Sequence, residues 1–180
     1  MVLTMPLCFA YGSNMDRAAM ALRCPASKPI GVARLPRHRF VIMQEGYASV
    51  VRDPSRDAHG VLWDVGLADM RALDAYEEVG RGLYSKAIQP VLKAGGGSAR
   101  ALVYLGRGRS GGRALPGYME GVIAAARDWG LPDRYIGELE GHLARGGPLA
   151  RLAPEPALGK PAAGGVKVRP RFATPFDRRD

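Results

Sequence analysis

Turn residues cut the first two-thirds of this chain into short apolar runs, and that punctuation limits the fold more than any other feature. Leu7 to Tyr11 is a continuous apolar run stopped by Gly12-Ser13, the pattern of a buried strand. Strand candidates follow at 30–35, 38–44, 47–52, 58–65, 84–92 and 98–105, separated by turn residues such as Asp53-Pro54-Ser55 and Gly95-Gly96-Gly97. One short helix is set among them, where Leu67, Met70, Leu73 and Ala75 or Tyr76 recur at helical spacing. Helices do not alternate regularly with strands, so a doubly wound parallel sheet is not expected. The pattern predicts an α+β fold: a small mixed, largely antiparallel β-barrel with peripheral helices.

Three more helices are expected at the margins. Ser13 or Asn14 is placed to cap one over roughly residues 15–23, with Asp16 in its first turn and Met15, Ala18, Ala19 and Leu22 on one face. Pro25 closes it. A second covers 117–129 and stops at Gly130, which suits a left-handed C-cap. The third begins after Pro132 and carries Tyr135, Ile136, Leu139 and Leu143 on one side. Beyond residue 146 the character changes. Residues 148–180 hold six prolines, many small residues and scattered Arg, too little apolar surface to offset the ordering of the chain. The expected organisation is a folded domain over 1–147 and a Pro/Arg-rich tail over 148–180, extended or disordered.

Charge and composition remove several functions. The 26 Lys and Arg against 17 Asp and Glu leave +9, of which the tail supplies +4. The rest is spread thinly among loops, with no basic helical stripe and no Arg or Lys interleaved with stacking aromatics. That is a basic surface and not a nucleic-acid site. No apolar run approaches the roughly 20 residues of a membrane-spanning helix. The first ten residues lack a basic leader and run straight into a turn, so they read as a core strand and not a secretory signal. Cys8 and Cys24 are too few for a disulfide scaffold and lack metal-type spacing, which places the chain in a reduced, cytoplasmic setting.

Histidine is scarce: His38, His59 and His142 fall on separate elements, with no Cys or carboxylate at ligand spacing. No metal site is expected. No phosphate loop, dinucleotide fingerprint or Gly-x-Ser-x-Gly elbow appears at a strand-to-helix junction. Two features remain. Tyr11-Gly12-Ser13-Asn14 turns from a strand into a helix, so it points backbone N–H groups at one place, aided by the helix dipole, and suits a carboxylate or an oxyanion. Glu77-Glu78 closes the short helix. If that helix buries its Leu67, Met70 and Leu73 face, Glu77 is shielded from water, which raises a carboxyl pKa toward neutrality. A carboxylate there opposes the helix dipole, and Arg81 stands near enough in sequence to offset it. Each feature alone also fits a plain capped turn or a solvated helix end.

Their order and context are more specific. Phe9-Ala-Tyr-Gly-Ser-Asn-Met15, then Gly31-Val-Ala-Arg-Leu35, Gly60-Val-Leu-Trp63, and Leu73-Asp-Ala-Tyr-Glu77 with Tyr84 seven residues on, resemble the gamma-glutamylcyclotransferase family. So does the later Tyr118 with Trp129-Gly-Leu-Pro132. The resemblance covers about residues 7–145. It implies a small mixed barrel with flanking helices, a catalytic glutamate at Glu77, a backbone-donor loop at Tyr11, Gly12, Ser13 and Asn14, and substrate-side tyrosines at Tyr84 and Tyr118. One position departs: the family often has Gly directly after the glutamate, where this chain has Glu78.

The implied reaction converts a gamma-glutamyl amine or amino acid to 5-oxoproline and the free amine. The substrate holds both nucleophile and electrophile, so neither a cofactor nor a metal is implied. The implied partner is therefore a small gamma-glutamyl molecule, with no membrane or nucleic acid involved; the sequence leaves the oligomeric state open. A reading of another class, a non-catalytic protein of the same fold that binds gamma-glutamyl compounds or small carboxylates, uses the same loop without Glu77 chemistry.

Overall fold

The computed structural model describes residues 7–144; the tail expected over 148–180 lies outside them. Within this span β1 (Leu7–Ala10), β2 (Lys28–Ile42), β3 (Ala48–Asp64), β4 (Tyr84–Lys93) and β5 (Ser98–Gly106) close into a barrel in the order β1-β3-β2-β4-β5. Neighbours pair antiparallel, except that β1 and β5 run parallel where Cys8 meets Leu102. The barrel is therefore mixed and largely antiparallel, as the sequence predicts. Its core includes Phe9, Leu35, Val91 and Val103, all essentially without exposure. Val61 and Leu62 are successive residues on opposite faces of β3, and both are fully buried. Both faces of the strand are covered there.

The strand boundaries differ in one respect. Segments 30–35 and 38–44 belong to the single strand β2, and segments 47–52 and 58–65 to β3. Asp53-Pro54-Ser55 is not a turn between strands. The register passes from Pro36 opposite Asp57 to His38 opposite Arg52, so β3 carries extra residues at an irregularity where Arg37 takes φ 58°. The local turn chemistry is present, because the Asp53 carboxylate accepts hydrogen bonds from the Ser55 N–H and hydroxyl at 3.0 and 2.7 Å. It bends a strand instead of ending one.

The helices are α1 (Arg17–Arg23), α2 (Leu67–Tyr76), α3 (Tyr118–Asp128) and α4 (Asp133–Ala144). A 3-10 turn over Ser13–Met15 separates β1 from α1, so the cap of α1 is Asp16 and not Ser13 or Asn14. Asp16 Oδ1 accepts from the Ala19 N–H at 2.7 Å. The short α1 buries Met20, while Leu22 is 87% exposed. Likewise α2 turns Asp69, Leu73 and Tyr76 inward and leaves Leu67 62% exposed. In both helices the buried face is displaced from the expected stripe, and on α2 a polar tie accompanies the change. The tie is Asp69, whose carboxylate accepts the Ala26 N–H at 2.9 Å. On α4, Tyr135, Ile136 and Leu139 are buried and Leu143 reaches the surface. Gly130, at φ 65°, ends α3 as expected.

Candidate active site

The site forms where the end of β1 meets the end of α2. Beyond Ala10 the chain passes Gly60 so closely that a Cβ there would sit 2.1 Å from the Ala10 carbonyl oxygen. It then turns through Tyr11 and Gly12 into the 3-10 turn. Across from it, Glu77 is the C-cap residue of α2. Asn14 Nδ2 donates to Glu77 Oε1 at 2.7 Å, and the Ser13 and Tyr76 hydroxyls are hydrogen-bonded at 2.9 Å. Helix α3 braces this turn from both ends. Trp129 Nε1 donates to the Met15 carbonyl at 2.7 Å, and Tyr118 enters the cavity beside Gly12, where an added Cβ would come within 3.0 Å of its hydroxyl.

The cavity is narrow, with a volume of about 30 Å³. The catalytic and substrate-side residues that the resemblance implies all line it: Tyr11, Gly12, Ser13, Asn14, Glu77, Tyr84 and Tyr118. The hydroxyls of Tyr84 and Tyr118 grip one residue between them. Tyr84 donates to the Ala48 carbonyl at 2.6 Å, and Tyr118 accepts the Ala48 N–H at 3.2 Å. Tyr11 donates to the Tyr104 carbonyl. The aromatic wall is thus tied to the barrel backbone, which keeps its rings fixed. Sequence reasoning did not assign Cys8, Tyr47, Ala48, Tyr76 or Tyr104 to the cavity, and these also line it. Cys8, Ala48 and Tyr104 lie in runs of β1, β3 and β5 that are buried on both faces, so no alternation in the sequence marks which of their residues face the cavity.

Glu77 is 8% exposed. Burial pushes its carboxyl from the ordinary 4.5 up to about 7, against the opposing pull of the Arg23 charge and the Asn14 hydrogen bond. Burial also raises the Tyr84 and Tyr11 hydroxyls well above their usual range, so both stay neutral donors. Glu77 is therefore the side chain on the wall that exchanges a proton near neutrality. Glu78 does not line the cavity; its carboxylate faces Arg81 at 3.7 Å.

Two expectations change at the level of charge. Arg81 pairs with Glu78, and the cation that favours the Glu77 carboxylate is Arg23, at the end of α1. The donor turn is one 3-10 turn and not the start of an α-helix. Its effect on an anion rests on individual N–H groups and not on a macrodipole. Among the described residues, no three or more His, Cys, Asp or Glu side chains gather as a metal site, and no helix is long and apolar enough to cross a membrane. His38 is buried with Nδ1 at 2.8 Å from the Pro36 carbonyl, and His59 and His142 pack on the rings of Tyr135 and Phe40.

A closed five-stranded mixed barrel with a buried carboxyl facing a strand-end turn places the chain among small α+β barrel proteins with a site at one strand end. The particular family follows from comparison: the chain belongs to the gamma-glutamyl cyclotransferase, AIG2-like family, whose model matches residues 8–129. It is 26% identical over 144 residues to the human protein named gamma-glutamylcyclotransferase, covering 74% of this chain and 77% of that one. The mouse protein of the same name is 28% identical over the same coverage. A solved structure named gamma-glutamyl cyclotransferase superposes with a TM-score of 0.70 at 24% identity, covering 88% of this chain and 94% of that chain. That likeness establishes the fold.

Proposed function

We propose that this protein cyclises a gamma-glutamyl amine or amino acid to 5-oxoproline and releases the amine, with Glu77 as the general acid and base. The observation that carries the reading is a buried carboxyl with its pKa near 7, hydrogen-bonded to the turn that ends β1. In the reaction the substrate α-nitrogen attacks its own side-chain carbonyl carbon. A ring C–N bond forms, and the C–N bond to the leaving amine breaks. Starting from the ammonium form, the α-nitrogen gives up two protons and the leaving nitrogen gains two. A carboxyl that binds and releases protons near pH 7 can carry them one at a time, typically worth a hundred- to ten-thousand-fold, roughly.

Closure also needs the glutamyl chain held folded, which in well-oriented systems lowers the barrier by about 7–11 kcal/mol. The narrow aromatic wall fixed by Tyr84 and Tyr118 supplies such a mould. The turn at Gly12, Ser13 and Asn14 holds the α-carboxylate or the tetrahedral oxyanion; one such donor is worth about 3 kcal/mol. Tyr84, its hydroxyl proton given to the Ala48 carbonyl, orients the substrate through the acceptor side of that hydroxyl. We assign this chemistry to a domain over 1–147 and place the protein in the cytoplasm, in keeping with Cys8 and Cys24 as free, buried thiols.

The test is incubation of the purified protein with a panel of gamma-glutamyl amino acids, peptides and amines, followed by mass detection of 5-oxoproline. Glu77→Gln should lose at least a hundredfold, on the scale of general acid–base catalysis, and Glu78→Gln should stay within a few-fold of wild type. Calorimetric binding of a gamma-glutamyl amide with no product over hours would identify a binding protein instead.

A further inference from the structure

The mechanism above leaves one charged side chain beside Glu77 without a role. Arg23 reaches back from the last turn of α1, donates from Nη1 to Asn14 Oδ1 at 2.7 Å, and sits over the Tyr76 ring with its Cζ 3.8 Å from the ring centroid. We propose that Arg23 is a positioning residue that locks the Asn14 amide as a hydrogen-bond donor toward Glu77 and biases that carboxyl toward its ionised, proton-accepting form. The proposal rests on the reading of Glu77 as the proton carrier.

The argument turns on which end of an amide faces which neighbour. A guanidinium has only donors, so the group it meets on Asn14 must be the carbonyl oxygen. The amide NH2 is thereby left for Glu77, at 2.7 Å. A donor held against a carboxyl oxygen favours the anion. Without the guanidinium the amide is free to turn over and offer its carbonyl to a protonated Glu77, which favours the neutral acid. Removing Arg23 also removes its positive charge. Both changes act in the same direction. The seat over Tyr76 matters because that ring immediately precedes Glu77 and its hydroxyl is bonded to Ser13; one guanidinium thus braces both sides of the contact.

The other groups around Glu77 cannot stand in for it. Cys8 on β1, Tyr11 just beyond its end, Tyr84 on β4, Tyr104 on β5, Tyr76 on α2 and Tyr118 on α3 all have burial raising their pKa, so they remain neutral while Glu77 titrates. Asp74, one turn earlier on α2, is bound to Lys86 Nζ at 2.7 Å and accepts the Tyr104 hydroxyl at 2.8 Å. Glu78 faces Arg81. Burial drives Glu77 toward the neutral acid, and Arg23 with Asn14 opposes it.

The test compares Arg23→Met, Arg23→Gln and Arg23→Lys with wild type, following the pH dependence of kcat/KM for 5-oxoproline release and, separately, the titration of Glu77 by carbon NMR of carboxyl-labelled glutamate, assigned with Glu77→Gln. In the Met or Gln variant, whichever folds, the midpoint rises by about one unit or more. Activity then falls several-fold at pH 6 and recovers toward wild type at high pH. The Lys variant keeps the charge and shifts less. Unchanged midpoints, with activity lowered equally at all pH values, would reduce Arg23 to a structural role and overturn the proposal; so would a Lys variant shifted as far as Met. The NMR titration reads the coupling even if no gamma-glutamyl substrate is turned over, so failure of the functional reading and failure of this one are separable.

Discussion

Glu77 and Asn14 stand 63 positions apart in the chain and share a 2.7 Å hydrogen bond, carboxyl oxygen to side-chain amide. This contact joins the end of a helix to the end of a strand and closes one side of the cavity. It is also where two opposed influences meet: burial that favours the neutral acid, and a donor that favours the anion.

The first expectation is a pH profile. With the carboxyl at about 7, kcat/KM should climb with pH through a midpoint near neutrality as Glu77 loses its proton in the free protein. Asn14→Ala removes the donor, so the midpoint should move upward and activity below pH 7 should drop about tenfold or more. Initial rates at saturating and limiting substrate between pH 5 and pH 9 measure both. A profile flat across neutrality is incompatible with Glu77 as the base.

A second expectation concerns stability and has the opposite pH sense to most carboxylates. The folded pKa of Glu77 lies above its ordinary value, so the folded state binds the extra proton between 4.5 and about 7. Its contribution is complete below 4.5 and is lost as pH rises through 7. The full shift corresponds to something on the order of 3 kcal/mol. Glu77→Gln carries no charge to bury. Its stability advantage over wild type should therefore grow from pH 4.5 to pH 8, read by urea denaturation at each pH. An advantage that does not vary with pH would mean the carboxyl is not desolvated in solution.

Glu78 gives a third. Its backbone sits in the left-handed region at φ 48°, ψ 41°, where a side chain costs about 1–2 kcal/mol and glycine costs almost nothing. Its ion pair with Arg81, itself 70% exposed on the side chain, returns little. Glu78→Gly should raise stability by about 1 kcal/mol, or a few degrees in Tm, and leave turnover within a few-fold. Lower stability would show that the Arg81 contact outweighs the strain.

How much of this was legible in the sequence depends on the range of the interaction concerned. The barrel was readable because strand runs and turn residues are local. The Tyr11–Asn14 turn and Glu77 carry only the signatures of a strand end and a helix end, and it is their order among the other motifs of the resemblance that singles them out. What failed needed partners far away. On α2 the buried face goes with Asp69 reaching the backbone of Ala26, and not with the Leu67 stripe. The division of β2 and β3 was misread because Asp53-Pro54-Ser55 has the chemistry of a turn, and only pairing with Pro36 and His38 shows it to lie within a strand. Nearness in sequence points to Arg81 as the cation for Glu77 and gives no sign of Arg23. The fold brings the residue nine places after Asn14 to the site and turns Arg81 away from it.

The last expectation tests whether the close approach of the end of β1 to Gly60 on β3 sets the site. At Gly60 an added methyl would lie 2.1 Å from the Ala10 carbonyl oxygen and 3.0 Å from both the Ala10 carbonyl carbon and Phe9 Cζ. None of these is the end of a flexible side chain free to swing away. Gly60→Ala must therefore push β1 off β3, costing about 3 kcal/mol or more, and the displaced strand carries Tyr11 to Asn14 with it. Stability and turnover should fall together. Gly80 is the control, since an added methyl there meets nothing within 4 Å. Gly80→Ala should change stability by less than about 1 kcal/mol and leave the cavity intact. Paired urea melts and 5-oxoproline assays of the two variants decide it: a Gly60→Ala protein as stable and active as Gly80→Ala would show that the approach of β1 to Gly60 is looser than the geometry requires.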